Sequence, residues 1–145
     1  MVLAMKAEQG RRVSSFEVRS QGRGLYDFTD KVEECVRASG LREGLCTVFV
    51  RHTSASLIVQ ENADRTVQTD LNAFFSRLVP DGDALFRHTD EGPDDMPSHV
   101  RAALTATSIG IPFEDGELML GRWQAIYLFE HRHAAHSRQI AVHIG

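Results

Sequence analysis

Three histidines, His52, His88 and His99, lie among carboxylates and hydroxyls in the middle of this 145-residue chain. Three neutral imidazole nitrogens are enough protein ligands for a catalytic Zn²⁺ ion that keeps one position open for water or substrate. The same side chains could also transfer protons. Their separations match no standard zinc-finger spacing. The alternative is that His52 is a core histidine with its hydrogen bonds satisfied and that His88 is a solvated loop residue.

Four carboxylates crowd the segment between the second and third histidines: Asp90, Glu91, Asp94 and Asp95. Beside a divalent ion they could supply oxygen ligands to Mg²⁺ carrying a diphosphate, or could orient the histidines from behind. Without an ion, such a segment is an ordinary solvated loop. The pattern lacks the fixed ligand positions of an EF-hand, so both interpretations stay open.

Small hydroxyl side chains follow His52 directly, at Thr53, Ser54 and Ser56. They could donate hydrogen bonds to a phosphate, or simply form a turn that favours small polar residues. If residues 46–61 formed one hairpin, Glu61 would lie roughly 20 Å from His52, at about 3.3 Å per residue. Glu61 would then serve another site, or the same site in a neighbouring subunit.

Hydrophobic periodicity predicts three helices and a series of short strands. The first helix runs from Asp30 to Gly40, with Asp30 and Glu33 as a capping box, and the second is capped by Asp64 and stopped by Pro80. The third begins near Pro97, is capped by Asp95, and buries a stripe at Val100, Ala103, Leu104 and Thr107. Strands are predicted over 13–20, 45–52, 57–61, 108–114, 117–120, 123–130 and 138–144.

Two details of the later strands bear on packing. Both faces of segment 123–130 are largely apolar, which favours a sheet buried on both sides, with another subunit covering one of them. Asp115 and Gly116 predict a hairpin turn. A cluster at His131, His133 and His136 could bind metal adventitiously, but we interpret it as a surface segment near the C-terminus.

The order of elements favours an α+β fold, in which a largely antiparallel β-sheet or sandwich is covered by two longer helices. Residues 1–12 are expected to be a disordered or extended N-terminal segment, and residues 13–145 a single domain. A content of 42% hydrophobic and 25% charged residues suits one globular core.

Composition argues against several classes of protein. A net charge of −4 and a pI near 5.9 argue against a general nucleic-acid binder. No apolar run reaches the roughly 20 residues needed to cross a bilayer, and no secretory signal is recognisable, so a cytoplasmic protein is expected. Cys35 and Cys46 are then expected to be small core residues rather than a disulfide.

Four ordered blocks of sequence are specific in composition and spacing: His52–Leu57, Glu61–Asp64, His88–His99 and Leu120–Gln124. They read H-T-S-A-S-L, E-N-A-D, H-x-D-E-G-P-D-D-M-P-x-H and L-G-x-W-Q. Together they resemble the YjbQ-like family, over nearly the whole chain from about residue 13. The chain departs from the family pattern after Arg132, where relatives often carry an acidic residue and this sequence has His133.

The resemblance implies a YjbQ-like α+β subunit assembled as a homotrimer that acts on a small phosphorylated metabolite. The implied activity is that of a secondary thiamine-phosphate synthase, which joins hydroxymethylpyrimidine diphosphate to a thiazole phosphate and releases diphosphate. The alternatives are a metal- or phosphometabolite-binding module and a purely structural trimer. A divalent metal ion, zinc or magnesium, is the expected cofactor.

Residue roles follow from this resemblance together with the chemistry above. Catalytic roles are predicted for His52, His88, His99, Glu61 and Asp95. Substrate contacts are predicted for Thr53, Ser54, Asn62, Asp90, Asp94, Gln124 and Glu130. The three histidines His52, His88 and His99 are also the predicted metal ligands.

Overall fold

The fold combines two antiparallel sheets with three helices, in a computed structural model that describes residues 10–145. The expectation for the first nine residues lies outside the described residues. The strands are β1 (Val13–Ser20), β2 (Gly24–Asp27), β3 (Gly44–Val50), β4 (Ala55–Glu61), β5 (Ser108–Glu114), β6 (Glu117–Leu118), β7 (Gln124–Glu130) and β8 (His136–Ile144). The helices are α1 (Thr29–Ser39), α2 (Arg65–Leu78) and α3 (Asp95–Leu104). The α+β prediction is confirmed.

The larger sheet has the strand order β1-β8-β3-β5-β6, and the smaller sheet has the order β2-β7-β4. Every pairing between these strands is antiparallel. Strands β3 and β4 follow one another in sequence but belong to different sheets. The hairpin considered for residues 46–61 is therefore not formed, and the chain crosses from one sheet to the other at residues 51–54.

One hydrophobic core joins the inner faces of both sheets to α1. Alternate residues of the strands face it, including Val48 of β3, Val142 of β8 and Leu128 of β7. Helix α1 adds Val32 and Val36, which are fully buried. Full burial of a valine or leucine side chain stabilises a fold by about 1.5–3 kcal/mol. This core fixes the relative position of the two sheets.

The outer face of the smaller sheet is covered by α2 and α3 of the same chain. Phe75 of α2 packs edge-on against Phe129 of β7, with ring centroids 5.2 Å apart. The prediction that β7 is buried on both faces is thus confirmed. The expectation that another subunit covers it is wrong, because helices of this chain do so.

The apolar stripe of α2 is only partly used by these contacts. None of its residues is fully buried, and Phe74 and Leu78 remain 50% and 54% exposed. Asp64 caps this helix as predicted, since its Oδ1 accepts the backbone N–H of Thr66 at 2.9 Å. The helix ends before Pro80, also as predicted.

Helix α1 begins one residue earlier than predicted and has a different cap. The Asp27 carboxylate accepts hydrogen bonds from the backbone N–H and the hydroxyl of Thr29, at 2.9 and 2.7 Å. No side-chain hydrogen bond caps the helix from its N-cap residue Phe28, so the predicted capping box is wrong. Its end at Gly40, with φ +72°, is as predicted.

Helix α3 buries a face other than the predicted one. Its buried residues are Asp95, Pro97, Ser98, Arg101 and Ala102. Leu104 is 58% exposed, because the buried face is held by polar contacts instead of apolar packing. Ser98, for example, donates its hydroxyl proton to a backbone carbonyl at residue 131 or 94, at 2.8 or 2.6 Å. The N-cap is Asp94, and the predicted cap Asp95 is the first helical residue.

The predictions about the later turn and the short strands were confirmed in part. The Asp115-Gly116 turn links β5 to β6 with positive φ at both residues, as a two-residue hairpin requires. Strand β2 was not predicted from the sequence.

Cys35 and Cys46 are buried free thiols, as predicted, and burial raises the pKa of Cys46 to about 12. Among residues 10–145, no helix has the length and apolar character to span a bilayer.

Candidate metal site

Three ligand-bearing side chains meet where α3 begins: His88, Asp95 and His99. Asp95 and His99 are four residues apart in the first turns of the helix, which places them on one face. His88 comes from the irregular segment between α2 and α3. One potential ligand atom from each residue lies within 4.8 Å of the others.

A single carboxylate oxygen is shared by the two rings. His88 Nε2 lies 2.7 Å from Asp95 Oδ2, and His99 Nε2 lies 3.3 Å from the same atom. In a tetrahedral zinc site with bonds of about 2.0–2.2 Å, ligand atoms are roughly 3.3–3.6 Å apart. The His99 to Asp95 distance already has this value. The His88 to Asp95 distance is a hydrogen bond that would open by less than about 1 Å.

The proton on His99 is placed by a backbone carbonyl. His99 Nδ1 lies 3.0 Å from the carbonyl oxygen of Thr53, which can only accept a hydrogen bond. Assigned from this contact, the Nδ1 atom carries a hydrogen, so Nε2 is the ring nitrogen available to a metal ion. Nε2 faces a carboxylate oxygen, an arrangement in which a proton or a metal ion joins the two atoms.

Asp95 is almost completely buried, with 1% of its surface exposed, and it stays ionised. Burial acts to raise its pKa, but the hydrogen bond from His88 and the charges of His99 and Arg132 outweigh burial, so that the pKa falls below the ordinary value. Arg132 Nη1 contacts the second carboxylate oxygen, Oδ1, at 2.7 Å. A negative charge is thus held between two imidazoles at neutral pH.

Arg132 also binds the residue before Asp95. Its Nε contacts Asp94 Oδ2 at 3.1 Å, and its Nη2 donates to the carbonyl of Glu91 at 2.8 Å. Sequence reasoning assigned Arg132 no role. The available signals were its place two residues after Glu130, on the same face by alternation, and its match to the arginine of the family pattern.

Glu130 and Arg138 form a buried ion pair behind this site. Arg138 donates from Nη2 and Nε to the two oxygens of Glu130, at 2.6 and 2.8 Å, and Ser20 donates its hydroxyl at 2.5 Å. Burial acts to raise the pKa of Glu130, but the hydrogen bonds from Arg138 and Ser20 lower it overall. The carboxylate also accepts the backbone N–H of Arg132 at 3.3 Å. It therefore positions protein groups, and in the single chain no surface of it is exposed.

His52 lies outside the cluster of ligand atoms. Its Nε2 accepts the backbone N–H of Gln139 at 2.7 Å, so this nitrogen is occupied by a hydrogen bond. Burial, followed by the charge of Arg138, lowers the pKa of His52. The set of three histidines predicted as ligands is not assembled in one chain, and Asp95 stands where the third was expected.

The other predicted residues near the site have varied surroundings. The side chain of Ser54 is buried and accepts from Arg138 at 3.0 Å, whereas Thr53 is exposed and uses its backbone carbonyl. Asp94 is buried and accepts from Arg132 and from the backbone N–H of His133, at 3.1 and 2.9 Å. Asp90 is exposed.

Three predicted residues lie at the opposite end of β4. Strand β4 starts beside the candidate metal site and ends at Glu61, which pairs with Gln124. The next residue, Asn62, donates its backbone N–H to the carbonyl of Trp123 at 2.9 Å. Six residues of strand at about 3.3 Å each separate the two ends by about 20 Å. Within one chain the structure does not bring Glu61, Asn62 and Gln124 to the histidines.

Among the histidines, His131 differs most from its predicted position. It is fully buried, although the sequence placed it in a surface segment. Its Nε2 bonds Ser56 Oγ at 2.8 Å, and its Nδ1 has no hydrogen-bond partner among the described residues. Burial, followed by the charge of Arg101, lowers its pKa to about 3. The alternation of β7 could have revealed it, because His131 continues the face that carries Tyr127 and Phe129.

The fold and this cluster define a class: a small α+β protein with two packed antiparallel sheets and a His-Asp-His group able to hold a cation. The family model described as "UPF0047 protein YjbQ-like" matches residues 14–145. This chain belongs to the YjbQ/UPF0047 family.

Relatives span most of the chain. UPF0047 protein sll1880 of Synechocystis is 54% identical over 128 residues, which cover 88% of this chain and 87% of the relative. UPF0047 protein YjbQ of Escherichia coli O157:H7 is 39% identical over 122 residues, covering 83% and 88%. These similarities confirm the resemblance seen in the sequence blocks.

Solved structures share the fold. The conserved hypothetical protein TT1486 of Thermus thermophilus matches with a TM-score of 0.82 and 35% identity, covering 91% of this chain and 99% of that one. Hypothetical protein APE1520 of Aeropyrum pernix matches with a TM-score of 0.83 and 28% identity, covering 93% and 98%. The two-sheet architecture is therefore that of the family.

Proposed function

We propose that His88, Asp95 and His99 bind a divalent transition-metal ion, with zinc the best match. Two imidazole nitrogens and one carboxylate oxygen are ligands that zinc prefers, whereas Mg²⁺ prefers oxygen ligands alone. The observation that carries the proposal is the geometry at Asp95: His99 Nε2, the nitrogen that does not contact the Thr53 carbonyl, lies 3.3 Å from the same ionised oxygen that His88 contacts. This donor set replaces the three histidines expected from sequence.

The reaction we propose is the one implied by the family resemblance, a secondary thiamine-phosphate synthase activity. In it a thiazole nitrogen forms a bond to the methylene carbon of hydroxymethylpyrimidine diphosphate, while the carbon–oxygen bond to diphosphate breaks. A bound divalent ion would supply positive charge for the leaving diphosphate. Support from this chain is the partly exposed position of His88 and His99, at 53% and 29% of their side chains, which leaves the cluster open to a small phosphorylated molecule.

The surrounding residues would orient the site and keep it charged. Arg132 holds Asp95 from behind, and the Thr53 carbonyl fixes the His99 ring. Proton transfer to or from the substrate falls to His52, because its ring is partly accessible and it directly precedes Thr53, whose carbonyl contacts His99. Asp90 is exposed on the same loop as His88 and remains a proposed substrate contact.

A second candidate, a metal- or phosphometabolite-binding module without turnover, is favoured by the state of the nearby cations. Arg132 is engaged by Asp94 and Asp95, and Arg138 is engaged by Glu130. Guanidinium groups already neutralised by carboxylates contribute little to stabilising a departing diphosphate. Within residues 10–145, these two arginines therefore position neighbouring carboxylates, and their charges contribute little to catalysis.

Assembly as a homotrimer is also part of the proposal. The apolar residues Phe74 and Leu78 lie on one face of α2 and are about half exposed in the single chain. Exposed apolar patches of this kind mark interaction surfaces. A second copy of the chain is the partner that the family resemblance implies.

The metal and the activity are tested together with His88→Ala and His99→Ala, and with His143→Ala as a matched control at an exposed histidine. Zinc affinity is measured by competition with a chelating dye, and thiamine phosphate formation by chromatography. We expect both site variants to lose zinc binding and synthesis, and the control to keep both. If the site variants lose zinc binding but the parent protein forms no thiamine phosphate, the result would support the binding module. Zinc binding unchanged in both variants would refute the site.

A further inference from the structure

A polar cavity of about 490 Å³, open to solvent, lies at the other end of β4, between β2, β7 and α2. Its lining is Leu25, Asp27, Asn62, Arg65, Gln68, Thr69, Asn72 and Tyr127. All but one of these side chains are polar. The cavity is distinct from the metal cluster, because it adjoins Asn62, about 20 Å along β4 from the strand end that meets His99.

A second cavity of about 340 Å³ adjoins the first, and the two share Asp27 and Asn62. Two sequence blocks that the metal site leaves unexplained meet there. Asn62 comes from the E-N-A-D block, and Gly121, Arg122 and Gln124 come from the L-G-x-W-Q block. The hydrogen bond from Asn62 N–H to the Trp123 carbonyl, 2.9 Å long, joins these blocks directly.

Charges of both signs line the two cavities. Arg65 lines the first cavity, and the second is lined by Asp30, Glu33 and Arg122, whose guanidinium lies over the Trp123 ring. Within residues 10–145, Arg65, Asp30 and Glu33 form no ion pair and no side-chain hydrogen bond. Asp27, at the junction, uses only Oδ1 for its contacts with Thr29. Unpaired charges held beside a cavity are available to a ligand.

Hydrogen-bonded polar groups line the two cavities, and one of them, Tyr127, is buried. Tyr127 is 3% exposed, and its hydroxyl donates to the Glu61 carbonyl and accepts from Gln68 Nε2, both at 3.4 Å. The Gln124 side chain accepts the backbone N–H of Gly121 at 2.7 Å, which fixes the wall of the second cavity. A preformed polar cavity loses little entropy when it binds a ligand.

We propose that the two cavities form a binding site for a small zwitterion. Its cationic group lies among the carboxylates Asp27, Asp30 and Glu33, and its carboxylate or phosphate group reaches Arg65. A molecule that carries both charges can contact Arg65 and these carboxylates at the same time, which a molecule of one charge cannot do.

Trp123 provides the readout, because it is the single tryptophan of the chain and its ring stacks under Arg122, which lines the second cavity, at 4.8 Å. Fluorescence titrations use 5-aminovalerate and O-phosphoethanolamine as zwitterions, and glutarate and 1,5-diaminopentane as molecules of one charge sign. We expect the zwitterions to bind at least tenfold more tightly than both controls. The zwitterion that binds more tightly shows whether the site prefers a carboxylate or a phosphate as the anionic group of the ligand.

Variants locate the site. Arg65→Gln and Glu33→Gln are each expected to weaken zwitterion binding at least fivefold, whereas Arg77→Gln on the same helix and His99→Ala should leave it unchanged. Circular dichroism confirms that each variant is folded. Equal binding of all four probes, or no binding, would refute the proposal. Loss of binding in His99→Ala would also refute it, because the cavities would then be part of the metal site, completed by a second copy of the chain.

Discussion

Arg132 donates a hydrogen bond to one carboxylate oxygen of Asp95, and the other oxygen contacts His88 and His99. The Nη1 to Oδ1 contact is 2.7 Å, and it comes from a side chain that is itself held by Asp94 and by the carbonyl of Glu91. Asp95 therefore cannot rotate without breaking a charged hydrogen bond. The relationship makes Arg132 a positioning residue for the candidate metal site.

Replacing Arg132 should weaken zinc binding. Loss of a residue that orients a metal ligand typically lowers affinity about 10- to 100-fold, and we expect this for Arg132→Gln in chelator competition. The lost positive charge acts in the opposite direction, so Arg132→Lys, which keeps the charge but loses the planar fork, isolates the geometric effect. The control is Arg42→Gln, which breaks the exposed pair with Asp115. Unchanged affinity in both Arg132 variants would show that Asp95 needs no support.

His52→Ala separates the ligand set of the structure from the set predicted by sequence. We expect zinc affinity to change by less than about threefold, because His52 lies outside the cluster. Stability should fall by about 1–3 kcal/mol, since the N–H of Gln139 loses its acceptor. Zinc titration and urea unfolding measure the two effects. A loss of zinc as large as that of His88→Ala would restore the three-histidine site.

The buried His131 predicts an unusual acid sensitivity. Its pKa is lowered to about 3 in the folded chain, so below its ordinary value of 6.5 the unfolded state binds a proton that the folded state does not. The free energy of unfolding should therefore fall by about 1.4 kcal/mol per pH unit between roughly pH 6 and 4.5, before most carboxylates titrate. His52, whose pKa is also lowered, adds to the same trend.

Urea unfolding at a series of pH values measures this slope. In His131→Gln the slope should be smaller by about 1 kcal/mol per pH unit, and exposed His143→Gln should behave as the parent. A parental slope in the His131 variant would mean that this ring is protonated in the folded state.

The buried pair of Glu130 and Arg138 predicts a non-additive mutant cycle. Removing one partner leaves a buried charge alone, so Glu130→Gln and Arg138→Met should each cost about 3–5 kcal/mol. The double variant should cost less than the sum of the two, because no isolated charge remains. Chemical denaturation gives all three values. Additive losses would show that the two side chains act independently.

The homotrimer proposed from the family resemblance can be tested at the exposed apolar face of α2, formed by Phe74 and Leu78. Sedimentation equilibrium should show a homotrimer for the parent and smaller species for the double variant Phe74→Ser, Leu78→Ser. Val13, equally exposed on edge strand β1, provides the control Val13→Ser. A monomeric parent, or a trimer unaffected by the α2 changes, would contradict this surface as the interface.

Much of the fold could be predicted because local patterns determine it. Alternation located β1 and β5 to the residue, and Asp64 and Pro80 marked the ends of α2. The buried face of α3 could not be read in this way. Periodicity assumes that apolar side chains face inward, whereas α3 turns Asp95 and Arg101 inward and leaves Leu104 exposed.

The candidate site was predicted in part for a similar reason. Asp95 and His99 fall on one helix face by spacing alone, and the acidic segment placed His88 near them. The structure does not bring His52 to them within one chain, because its Nε2 contacts the backbone of Gln139 in β8, far along the chain. Contacts between residues so far apart in the sequence depend on how the strands pair. Local sequence patterns do not encode that pairing.

The contact between His99 and Thr53 has a consequence for variation at position 53. Since the acceptor is a main-chain oxygen, any amino acid that preserves the path of the chain between β3 and β4 can stand there without disturbing the imidazole. Lengthening or shortening that crossover by one residue would instead displace the oxygen and free the ring to flip. Tolerance to substitution and intolerance to insertion should therefore coexist at the same position.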